Sequence, residues 1–151
     1  MAKNNGFSLN FDGFLDLARE IDNLGEDALK KAVDNALTSS KDYVNNEVSK
    51  AMDASKYHFN KTNYSKGKAK ASLVKISNMP VKWTGTTAKA YIGVDLNDAL
   101  EVAFIIYGTP HMKKDTKLYN AIKVKGNIKK EVEKIQKEEF NKVIEEALKN
   151  G

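Results

Sequence analysis

The chain has 151 residues, 41% of them apolar, no cysteine and a formal net charge of +5. One domain around one core fits that length. Disulfides, cysteine zinc sites and thiol catalysis are excluded, and no apolar run reaches the roughly 18 residues that a membrane-spanning helix needs. The start, Met1-Ala2-Lys3-Asn4-Asn5-Gly6, lacks the apolar segment of a secretory signal, and the cysteine-free composition fits a reducing cytoplasm.

Taken in chain order, Phe7, Leu9 and Phe11 alternate with Ser8 and Asn10, which predicts a short strand. Asp12-Gly13 breaks it. Phe14, Leu17, Ala18, Ile21 and Leu24 then fall at helical spacing and predict a short amphipathic helix closed by Gly25. A longer helix is expected from Glu26 to Ala54, with Leu29, Val33, Ala36, Leu37, Tyr43, Val44, Val48, Ala51 and Met52 on its apolar face. Such a helix must lie across a sheet, pack on another long helix or extend into a partner.

Ser55 to Ser72 has weak periodicity and reads as a long loop, and Leu73 to Ile76 reads as the start of the strand region. Val81-Lys82-Trp83-Thr84 and Thr87 to Val94 alternate on either side of Gly85 and predict a hairpin. Asp95 to Asp98 is a turn. Ala99 to Tyr107 is a buried strand or a short buried helix; β-branched and aromatic residues favour a strand at Phe104-Ile105-Ile106-Tyr107. After the Gly108-Thr109-Pro110 exit and the His111-Met112-Lys113-Lys114 loop, Asp115 or Thr116 caps a short helix carrying Leu118, Ala121 and Ile122. A final helix runs from Gly126-Asn127 to about Lys149, with Ile128, Val132, Ile135, Phe140, Val143, Ile144, Ala147 and Leu148 on its apolar face. The sum is an α+β fold, a small antiparallel β-sheet packed against one long N-terminal helix and a C-terminal helix.

No catalytic set stands out. His58 and His111 are far from any metal-ligand spacing. The carboxylates interleave with lysines as on solvated helix faces. Asp95, Asp98 and Glu101 could neighbour one another, but a turn accounts for them. Ser39, Ser40 and Ser72 lie outside any nucleophile-elbow frame, and Gly67-Lys68-Ala69 is no phosphate loop. The expectation is a protein without enzymatic activity, cofactor or metal.

Charge placement is more informative. From Ala54 to Val94 there is no Asp or Glu, while eight lysines occur; elsewhere 17 basic residues face 20 acidic ones, a balance of −3. Within this window Tyr57, Phe59 and Tyr64 interleave with Lys56, Lys61 and Lys66. Such segments contact nucleic acid through phosphates and stacked bases, or they keep a loop soluble while the rings pack on the domain. Lysine supplies 24 of the 25 basic residues, which argues against base-specific readout.

The order of elements resembles the small neck proteins of long-tailed phages, the tail-completion, head–tail joining or minor structural proteins of siphoviruses. In that family an aromatic-Gly-Thr motif ends a strand and an apolar-x-x-Ala turn follows. Tyr107-Gly108-Thr109 and Leu118-Tyr119-Asn120-Ala121 match those two features. Two positions depart from the pattern. Many members carry an acidic residue two before the glycine, where this chain has Ile106, and a Pro then Thr-Gly in the mid-chain loop, where it has Lys61 to Gly67.

The resemblance implies a virion protein assembled in the bacterial host cytoplasm. It implies a ring of identical copies, expected to be a hexamer, between the head connector or stopper and the tail terminator, around the DNA channel and with no membrane partner. On that reading Tyr107, Gly108, Thr109, Pro110, His111, Met112, Lys113 and Lys114 form an assembly interface. Lys56, Lys61, Lys66, Lys68 and Lys70 face the DNA backbone. The alternative is a free nucleic-acid-binding protein using residues 56–89 without sequence preference. An enzyme would require convergent polar groups in a closed pocket.

Overall fold

The computed structural model describes residues 6–11, 25–55, 68–85 and 87–150. In chain order they form β1 (Phe7–Phe11), α1 (Gly25–Ala54), α2 (Lys68–Ser77), β2 (Lys82–Thr84), β3 (Thr87–Ile92), α3 (Glu101–Tyr107), α4 (Thr116–Lys123) and α5 (Asn127–Asn150). The architecture is α+β, a small antiparallel sheet against a long N-terminal helix and a C-terminal helix. The expected helix between Asp12 and Leu24 lies outside the described residues, as does most of the expected loop, residues 56–67.

The sheet has strand order β1-β3-β2, with Phe7 opposite Ile92, Phe11 opposite Ala88 and Trp83 opposite Ala88. Alternation puts Leu9, Ala88, Ala90 and Ile92 on the buried face, with Lys89 and Tyr91 on the other. The two alanines have no exposed surface at all. Their small size lets the sheet sit close against α1.

α1 is 30 residues, about 45 Å long. Its buried stripe is wide, taking in Ala32, Ser40, Lys41 and Asn45 beside the apolar residues expected there; of that expected set only Tyr43 is half-buried. The width follows from two partners. One flank meets the sheet, where Trp83 Nε1 donates to Asp34 Oδ1 at 2.6 Å and Gly93 N to Asn45 Oδ1 at 2.7 Å. The other meets α5, where Ser39 Oγ donates to Glu139 Oε1 at 3.3 Å. Phe11 of β1 stacks on Phe140 of α5, ring centroids 5.3 Å apart. Each buried Leu, Ile, Val or Met side chain contributes about 1.5–3 kcal/mol relative to exposure. On α5, Val132 and Val143 are buried, and Ile128, Phe140 and Ile144 are half-buried; the side chains of Ala147 and Leu148 lie outside the described set.

Two stretches differ from the sequence expectation. Lys68 to Ser77 is a helix, so Lys68 to Ser72 is not loop and Leu73 to Ile76 is not strand. Ala69, Ser72, Leu73 and Ile76 are its buried residues, spaced i, i+3, i+4, i+7. The polar Ser72 hides that pattern in the sequence. Its hydroxyl is satisfied by accepting from Asp95 N at 2.8 Å.

Phe104 to Tyr107 is likewise helical, part of α3, and not the core strand expected there. Val102, Ile105 and Ile106 are buried, while Phe104 and Tyr107 are 50% and 54% exposed. β-propensity of single residues loses to this one-sided burial. The Asp95–Asp98 turn is as expected, with Asp98 N and Ala99 N both donating to Asp95 O at 3.0 Å.

Candidate assembly face

The corner after α3 is built from backbone hydrogen bonds. Gly108 caps the helix at φ +79°, ψ 167°, its N–H donating to Phe104 O at 2.8 Å. The chain then turns back on itself: Thr109 N donates to Met112 O at 2.9 Å and Met112 N to Thr109 O at 3.2 Å. Pro110 and His111 form the exposed tip, and His111 N donates to Thr109 Oγ1 at 3.2 Å. Lys113 and Lys114 are exposed, whereas Met112 is half-buried against the core. Of the eight residues expected at an interface, Tyr107, Pro110, His111, Lys113 and Lys114 are exposed.

Asp115 locks this corner to the rest of the molecule. Its N–H donates to Ile105 O at 2.8 Å, its Oδ1 accepts from Leu118 N at 3.1 Å as the cap of α4, and its Oδ2 accepts from Ser55 Oγ at 2.7 Å. One side chain thus ties the end of α1, the end of α3 and the start of α4 together. The expected cap at Asp115 is the one found.

The helical form of α3 adds residues that strand reasoning missed. Leu100, at the helix start, is 58% exposed; with Phe104 and Tyr107 it makes an i, i+4, i+7 row on the solvent side of α3. The spacing was the signal that could have found them. Around Tyr107 the surface is aromatic and basic. Tyr119 meets it edge-on at 6.0 Å, Lys114 Nζ sits 3.7 Å over the Tyr119 ring, and Lys123 Nζ lies 5.9 Å from the Tyr107 ring and 5.8 Å from the Phe7 ring. Residues 100–125 hold five lysines against two carboxylates, a balance of +3. Asp115, one of the two, is consumed by its cap and by Ser55.

The lysine window is less open than its sequence implies. Lys56, Lys61, Lys66 and His58 lie outside the described residues. Lys68 is exposed at the start of α2. Lys70 is engaged: its Nζ is 2.7 Å from Asp53 Oδ1, 3.0 Å from Ser49 Oγ and 3.3 Å from Ser49 O. Lys75 pairs with Asp98 at 3.2 Å.

Asp95, Asp98 and Glu101 do not converge on a common point. Asp95 Oδ1 accepts from Asn97 N at 2.9 Å and Asp98 faces Lys75. An open cleft of about 490 Å³ lies between α1 and α2, bordered by Asp42, Asn46, Ser49 and Val74. Among the described residues no group of three His, Asp or Glu is placed to hold a metal, and no helix is long and apolar enough to cross a membrane.

No protein-family model matches the chain, and no curated protein or solved structure matches it either. The neck-protein resemblance therefore rests on the residues and element order named above.

Proposed function

We propose that the chain is a structural protein of the neck of a long-tailed phage, completing the tail and joining it to the head connector around the DNA channel. The observation that carries this reading is the exposed row Leu100, Phe104 and Tyr107 beside the Gly108–Lys114 corner. Three large apolar side chains in a row on one face are a docking surface of the kind found at the centre of protein interfaces, and the lysines beside them suit a rim. The element order and the Tyr107-Gly108-Thr109 and Leu118-Tyr119-Asn120-Ala121 motifs add the family resemblance. In this role the protein performs no chemistry, and copies assemble into a ring on their head and tail neighbours.

The test is genetic. Deleting the coding sequence from a phage genome that carries it should give unjoined heads and tails, and complementation should restore joined particles. Joined, infectious particles without the protein would sink the proposal.

The alternative, a free nucleic-acid-binding protein using residues 56–89, keeps Lys68 and Lys82 as exposed cations on described elements, whereas Lys70 and Lys75 are paired. It predicts affinity for DNA or RNA at low salt that falls steeply as salt rises. Absence of measurable affinity at low salt removes it.

A further inference from the structure

The α3–α4 face combines three things: an apolar row, ring faces overlaid by lysines, and cations that lack acidic partners. Among the described residues no ion pair includes Lys114, Lys117, Lys123 or Lys125. The fitting occupant is an apolar stripe bordered by carboxylates. The chain contains one such stretch in its own sequence. Residues 12–24 place Phe14, Leu17, Ile21 and Leu24 at helical spacing, and carry Asp12, Asp16, Glu20 and Asp22 against Arg19 alone, a balance of −3 against the face's +3.

We propose that residues 12–24 of one copy dock on the Leu100–Phe104–Tyr107 face of a second copy. The inference rests on reading that face as an assembly surface, and it names the partner.

Geometry excludes the same pairing within one chain. Phe11 lies opposite Ala88, which pairs with Trp83, whose indole binds Asp34; the segment therefore leaves the sheet near the first third of α1. It returns at Gly25, where α1 begins. The face lies at the far end of α1, where Asp115 bridges Ser55 and Ile105. Along the α1 axis the outward leg from Asp34 to Ser55 is about 32 Å and the return leg to Gly25 about 45 Å, at 1.5 Å per residue. The 14 peptide steps from Phe11 to Gly25 span at most about 49 Å when fully extended, and as a helix far less. A second copy has no such limit. A segment passed from each copy to the next closes into a reciprocal pair or a ring.

Charge exchange between the two surfaces tests this with the full chain. Lys114→Glu with Lys123→Glu reverses the face; Asp16→Lys with Glu20→Lys reverses the segment. Sedimentation velocity of the parent chain should show concentration-dependent self-association. Each double variant alone should weaken it by about tenfold or more, and an equimolar mixture of the two should regain it. Circular dichroism of each variant checks folding, and Phe104→Ala, which reverses no charge, should weaken association in the same assay.

Self-association unchanged in either double variant, or no recovery in the mixture, overturns the proposal. So does an oligothymidylate that binds the face more tightly than the peptide of residues 12–25 and displaces it. A parent chain that stays monomeric at every concentration also overturns it. That last outcome leaves the neck reading standing, because a ring can still form on a head or tail partner; the gene deletion alone decides that reading.

Discussion

Gly108→Ala probes whether the corner after α3 is held by backbone geometry. Gly108 sits at φ +79°, ψ 167°, a region that other residues occupy only under strain. A Cβ built there meets backbone on two sides, Lys114 N and Met112 O each at 3.1 Å, and Lys114 Cβ at 3.4 Å. Neither backbone atom is the end of a flexible side chain, so relief requires moving the Thr109–Met112 bridge itself. Conformational strain alone costs about 1–3 kcal/mol, and the displacement brings the expected loss to about 2–4 kcal/mol. Gly126→Ala is the matched control. It too has positive φ, +61°, but a Cβ there meets nothing within 4 Å, so only the left-handed penalty of about 1 kcal/mol applies. Guanidinium denaturation followed by far-UV circular dichroism should therefore rank the midpoints parent, Gly126→Ala, Gly108→Ala, with unchanged slopes. Equal losses at the two glycines, or a loss at Gly108 below about 0.5 kcal/mol, would refute the steric reasoning.

Three further outcomes follow from named contacts. Asp115→Ala removes the cap of α4 and the Ser55 hydrogen bond together and should cost about 1–3 kcal/mol, while Asp115→Asn, which can still cap, should cost less in the same titration. Asn45→Ala strips the buried Gly93 N–H of its acceptor but also removes a buried Nδ2 that has no partner; the expected net loss is about 1–2 kcal/mol, and a neutral result would count against the buried hydrogen bond. The Tyr43 phenol is pushed above its usual range by burial first, then by Glu47 and Glu131. The fold thus favours its neutral form, so its contribution is complete below the unfolded value and is lost as pH rises through the folded one. Above about pH 10 the parent should lose stability faster than Tyr43→Phe, measured as paired urea midpoints across pH 8–11; parallel curves would remove the assignment.

The legible part of this fold was the part with a full period to read. β1 and the β2–β3 hairpin alternate over enough residues to fix both strand and face. α1 and α5 repeat their apolar residues over many turns, and Asp115 announces α4 by position. Short stretches resisted. Leu73 to Ile76 and Phe104 to Tyr107 are apolar runs of four residues or fewer, in which strand and helix periods cannot be told apart.

The same limit hid half of the candidate face. Read as a strand, Phe104 to Tyr107 belongs to the core and Leu100 to nothing; read as a helix, Leu100, Phe104 and Tyr107 share one face and Val102, Ile105 and Ile106 the other. Lys70 was equally illegible as a structural residue, since its partners Ser49 and Asp53 stand 17 to 21 positions away on another helix.

By itself, then, the sequence determined the α+β class, the long helix, the strand faces, the Asp115 cap and the basic centre of the chain, because each depends on neighbours within a few residues. Only the tertiary structure decided which lysines remain unpaired, that α3 is a helix, and that its outward row adjoins the aromatic and lysine cluster of α4. Those outcomes depend on which surfaces meet across α1, and a chain's local pattern does not encode the distance between two of its helices.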